Sequence, residues 1–85
     1  MEVAYERVMR YASEAVDNGN LSMAITMLSE MRDALQYCNE STKRVMGLND
    51  RMGADPLLQD TLHRECTQRE FKILDINRRL EHLGA

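Results

Sequence analysis

The sequence predicts an all-α fold: a short N-terminal helix packed on a long antiparallel helical hairpin, three helices joined along a coiled-coil-like seam. Three observations predict it. Apolar residues recur at helical spacing, two Gly-containing turn signals divide the chain, and acids repeatedly stand four residues before bases. Trp is absent, aromatics make up 5% of the 85 residues, and there is one Pro. Residues suited to alternating strands are therefore too few to build a sheet.

The first turn signal is Asn18-Gly19-Asn20. Gly19 can take the left-handed conformation that ends a helix, and Asn20 can accept hydrogen bonds from the first free amides of the next one. The second is Gly53-Ala54-Asp55-Pro56. Gly53 suits a C-terminal cap, Asp55 an N-cap, and Pro56 the first helical turn, where its missing N–H has no partner to lose. These signals predict helices over about 2–17, 21–52 and 56–83, in one domain spanning 1–85.

In the middle segment, Leu21, Leu28, Leu35, Thr42 and Asn49 form one seven-residue column, and Ala24, Met31, Cys38, Val45 and Met52 a second. Spacing that alternates three and four is the pattern of a coiled-coil seam. The third segment continues it with Leu62, Cys66, Ile73, Ile76, Leu80 and Leu83, with Arg69 as the polar seam position. A short loop between two long helices makes them antiparallel neighbours. The pattern puts Leu28, Leu35, Ile73 and Leu80 at the centre of the core. Glu6–Arg10, Glu40–Arg44, Asp60–Arg64, Glu65–Arg69 and Asp75–Arg79 all place an acid four residues before a base. That is the favourable order on a helix surface.

Size and composition bound the function. An 85-residue chain buries only about 60% of its unfolded surface, which leaves little room for a deep pocket. No apolar run approaches the roughly 18 residues that span a bilayer, and the start Met-Glu-Val-Ala-Tyr-Glu-Arg is unlike a signal peptide. A cytoplasmic protein with two reduced thiols is expected, with no membrane partner. The net charge of −3 gives no bulk attraction to nucleic acid or anionic lipid.

No constellation of side chains suggests catalysis, a metal or a cofactor. His63 and Cys66 lie three apart and Cys38 could approach them, but zinc requires three or four convergent ligands, and the thiols also suit an apolar seam. A Cys–His nucleophile lacks an orienting group and an oxyanion site. Asp17-Asn18-Gly19-Asn20 would open a calcium loop whose closing Glu position is Leu28, so it reads as a turn. Arg64, Arg69, Lys72, Arg78 and Arg79 could form a basic stripe, but Glu65, Glu70, Asp75 and Glu81 interleave with it. A solvated face fits that mixture better than a nucleic-acid footprint.

The stretch from Val8 to Met31 resembles a tetratricopeptide hairpin. Gly19-Asn20 sits in the turn, and Ala24-Ile25 follows at that family's close-packing spacing. The family's large positions are Val8, Ala15 and Leu28 here, and its closing Pro is Gln36. The resemblance implies shared packing geometry; one unit does not make a repeat array. The overall pattern is also similar to small helical secretion co-chaperones and anti-activators of bacteria and phages.

One length mismatch bears on function. At 1.5 Å per residue the predicted helices measure roughly 24, 48 and 42 Å, so the first covers only half of the hairpin. The other half, near Gly53, carries Val45, Met46, Leu48, Met52, Leu57, Leu58 and Leu62, more than a two-helix seam can bury. An uncovered apolar surface marks an interface with a second subunit or a partner. The seven methionines fit either that surface or the core. The sequence thus points to a non-enzymatic protein–protein interaction module: a small regulator, adaptor or secretion-type chaperone. Val45, Leu48, Met52, Leu58 and Leu62 would meet a protein partner or a second copy, and there would be no small-molecule substrate. A nucleic-acid-binding regulator built as a dimeric helical bundle is the alternative.

Overall fold

The computed structural model describes residues 2–85, with side-chain surroundings described from Ala4 onward. Three helices follow in order: α1 over Glu2–Asp17, α2 over Leu21–Arg51 and α3 over Pro56–His82. Among the described residues there is no strand. The Cα extents are 53 × 21 × 14 Å, a long, thin molecule.

Both turns form as their residues dictate. Gly19 and Gly53 have φ of 78° and 106°, where a Cβ would be strained. The Asn20 side chain accepts from the Met23 amide at 3.2 Å. Asp55 Oδ1 accepts from Leu57 and Leu58 N–H at 3.0 and 3.3 Å, with Pro56 opening α3. Asn49 locks the same turn from across it: Nδ2 donates to the Asp55 carbonyl at 3.3 Å and Oδ1 accepts from the Asp55 amide at 3.2 Å.

The core gathers at the end where α1 lies. Met9, Ala12, Leu28, Leu35, Ile76 and Leu80 are buried together, with Tyr5, Ile25, Met31, Ile73 and Leu83 packed around them. Ile76, fully buried, holds the central place expected for Ile73, which is only half-buried. α1 packs against α2 and reaches α3 through side chains. Tyr5 Oη donates to Asp75 Oδ2 at 3.4 Å, and Lys72 Nζ sits 5.0 Å from the Tyr5 ring centre.

The seam of α3 follows the expected columns, extended by Gln59. The seam of α2 departs from its second column halfway along. Its inward positions run Ala24, Leu28, Met31, Leu35, Asn39, Thr42, Met46 and Asn49, with two successive steps of four at Leu35. A straight α-helix drifts about 20° per heptad from a strict seven-residue repeat, and the extra step takes up that drift. Consequently Asn39, not Cys38, faces α3. Its Nδ2 donates to the Cys66 carbonyl at 3.3 Å, and Cys66 Sγ lies 4.0 Å from the Asn39 carbonyl. Cys38 is half-buried, Val45 and Met52 are exposed, and Leu21 is exposed at the start of the helix.

Candidate functional site: the bare half of the hairpin face

The two halves of the hairpin differ in chemistry. Beside α1 the seam is aliphatic. Toward the Gly53 turn it mixes Met46, Leu62 and Cys66 with polar pairs: Arg69 Nη1 donates to Thr42 Oγ1 at 2.9 Å, Asn49 Nδ2 to Gln59 Oε1 at 2.7 Å, and Gln59 Nε2 to the Met46 carbonyl at 3.4 Å. Asn39 Oδ1 is buried without a hydrogen-bond partner. The outside of this half carries the apolar groups instead. Val45, Leu48, Met52 and Leu58 are 46%, 49%, 79% and 41% exposed. Leu62 differs from the other four expected contact residues: it is half-buried and sits in the seam of α3.

Helix periodicity shows which face these residues occupy. Five turns of an α-helix take 18 residues, so positions 18 apart point the same way. Met27, Glu30 and Ala34 line a cleft of about 340 Å³ with Val8 of α1. Eighteen residues on stand Val45, Leu48 and Met52. Along α3, whose seam keeps a seven-residue repeat, Leu58 and Glu65 share a column with Lys72 and Arg79, which flank α1. The exposed residues of α2 therefore continue the flank of the cleft beside α1, where Glu30 and Ala34 are exposed as well.

The edges of the bare half are of mixed charge, with Glu40, Asp50, Asp60 and Glu65 standing among Lys43, Arg44, Arg51 and Arg64. Arg44 and Arg51 stand on the side of α2 turned away from α3, with Glu40 beside them four residues before Arg44. Arg64 stands on the outer edge of α3, in one column with Arg78. Arg44 Nη2 donates to Ser41 Oγ at 3.1 Å. Glu65 is drawn to Arg69 at 3.7 Å, so the acid nearest this face is paired. Of the five expected acid–base pairs, Glu65–Arg69 and Asp75–Arg79 are closed, the latter at 3.4 Å. Arg44 turns to Ser41 and Arg10 lies 5.2 Å from the Tyr11 ring centre instead.

A feature that sequence reasoning missed is a groove of about 400 Å³ between α1 and α3, floored by Ala12 and Leu28 and edged by Arg78, Arg79 and His82. It exists because α1 leans on α2, a choice between two neighbours that periodicity does not encode. Among the described residues, no three of His, Cys, Asp and Glu come together as a metal site. Both cysteines are free, and His63 is exposed while Cys66 is buried. Among the described residues no helix is long and apolar enough to cross a membrane. Compared with protein-family models, curated proteins and solved structures, the chain gives no significant match.

Proposed function

We propose that this protein is a non-enzymatic protein–protein interaction module, a regulator, adaptor or chaperone that docks helices on the bare half of its hairpin face. The observation that carries the reading is the inversion of chemistry near the Gly53 turn. Asn39, Thr42, Asn49, Gln59 and Arg69 are turned inward while Val45, Leu48, Met52 and Leu58 face solvent. A partner covering that face would bury the apolar groups left in water, and each fully buried Leu or Met is worth about 1.5–3 kcal/mol. The nucleic-acid alternative draws less support, because Arg69 and Arg79 of the candidate stripe are ion-paired and Lys72 lies over Tyr5.

The experiment is affinity purification of the tagged chain from its own cells, wild type beside the Met52→Glu, Leu58→Glu variant. Circular dichroism reports whether the variant keeps its helices, and light scattering reports the mass of each. The expected result is a stoichiometric companion protein, or a wild-type dimer, that is lost in the variant. Identical behaviour of the two proteins would remove this face from the functional account.

A further inference from the structure

We infer that Cys38 and Cys66 form a redox latch: a disulfide between them turns the far half of α2 about its axis and draws Val45 and Met52 toward the seam. Three observations carry it.

The first is level. The chain has two cysteines, one on each helix of the hairpin. Cys66 Sγ lies 4.0 Å from the carbonyl of Asn39, the residue next to Cys38, and Asn39 Nδ2 donates to the Cys66 carbonyl at 3.3 Å. The two thiols therefore stand at one height of the hairpin, Cys66 buried in the seam and Cys38 half-buried beside it.

The second is the size of the turn that joins them. Neighbouring residues point about 100° apart around a helix. Cys38, Val45 and Met52 form the strict seven-residue column, and they stand just outside a seam that Asn39 and Met46 occupy. Rotating this half of α2 by about 50°, half a residue step, brings the first column toward α3 and carries the second outward. A left-handed supercoil keeps such a strict repeat on its partner, so the rotated half still continues the seam beside α1.

The third is a defect at the pivot. Asn39 is buried and its Oδ1 has no partner, which favours turning that amide out to water. Beside α1, the aliphatic contacts of Leu28 and Leu35 hold α2 in place. The bonds of Asn49 to Asp55 and Gln59 hold the reduced setting of the far half.

The oxidant is a low-molecular-weight disulfide such as oxidised glutathione. The Cys38 thiolate attacks one of its sulfurs, breaking that S–S bond and releasing one glutathione. The Cys66 thiolate then attacks Cys38 Sγ, forming the internal bond and releasing the second glutathione. Two electrons and two protons pass from the protein thiols to the two glutathione thiols. The latch stands independently of the interaction reading above; its consequence for docking rests on that reading.

The test equilibrates the full chain in glutathione buffers of graded redox poise, blocks remaining thiols by alkylation and measures mass and peptide linkage. The expected product is a monomer lighter by two hydrogens, with the Cys38 and Cys66 peptides joined and the helical circular dichroism retained. Asn39→Leu relieves the defect of the reduced seam, so it should lower the equilibrium constant for disulfide formation about tenfold. The oxidised chain should lose the companion or dimer that reduced wild type shows in the affinity purification, and a reductant should restore it.

A glutathione adduct on Cys38 with Cys66 still free, or a disulfide between two chains, would overturn the latch. Equal equilibrium constants for wild type and Asn39→Leu would overturn the rotation. Undiminished capture by the oxidised chain would overturn its control of docking. The interaction reading fails separately, if Met52→Glu, Leu58→Glu behaves as wild type under reducing conditions; the linkage and the Asn39→Leu ratio then decide the latch.

Discussion

Asn39 fits its surroundings least well. It is 5% exposed, its amide nitrogen reaches the Cys66 carbonyl, and its carbonyl oxygen has no partner. A buried unsatisfied polar atom costs about 1–3 kcal/mol, whereas the Cys66 carbonyl can keep its own helical bond without Asn39. Asn39→Leu is therefore expected to raise stability by about 1 kcal/mol in a denaturant melt, and a clear loss would show that the amide holds the hairpin register. Leu35→Ala should instead cost about 2–5 kcal/mol, as truncation of a well-packed Leu does. A loss near zero would mean that Leu35 is not in the core. Leu28, Leu35 and Leu80 were legible as core because they are the aliphatic members of the seam columns at the end where α1 lies. Asn39 was not, because a strict heptad points to its neighbour Cys38, and only the geometry of a straight 31-residue helix moves the seam by one position.

At the scale of elements, the caps and turns were the most readable part of the chain. Asn20, Asp55 and Pro56 are local signals whose chemistry does not depend on distant packing, and all three sit where their side chains require. Gly19→Ala should cost about 1 kcal/mol or more, since φ is positive there and Ala is strained in that region. Gly47 is a different case: it lies inside α2, exposed, with open space where a Cβ would stand. Gly47→Ala should stabilise the protein by about 1 kcal/mol in thermal or denaturant unfolding, the propensity difference in a helix interior. It lies off the bare face, so partner capture should be unchanged. The surface ion pairs were less legible than the caps. Long side chains choose among several neighbours, and Arg44 and Arg10 chose Ser41 and Tyr11 over the acids four residues before them.

Across the whole molecule, the decisive quantity is the difference in helix length. A 16-residue helix lies on a hairpin of 31- and 27-residue helices, and the uncovered half is the half whose seam includes polar pairs. Which part of the hairpin would be bare was readable from lengths and the Gly19 turn alone. That α1 leans on α2 and leaves a groove against α3 was not, since both neighbours offered similar aliphatic columns. The candidate contact residues stood out in the sequence because they are apolar in excess of what a two-helix seam can hold; of that excess, Met46 and Leu62 were absorbed by the seam.

The hairpin has two halves, one closed by α1 and one open to solvent on that side, with polar pairs in its seam. Native-state amide hydrogen exchange of the free chain distinguishes the two, because local opening tracks the apolar contacts that bury each segment. Amides over Leu28–Leu35 and Ile76–Leu80 should exchange only through global unfolding. Those over Thr42–Leu48 and Leu62–Glu65 should exchange about a hundredfold faster, an opening some 3 kcal/mol easier. Uniform protection along both halves of the hairpin would contradict the account, for it would mean that the half near Gly53 is already closed in the free protein.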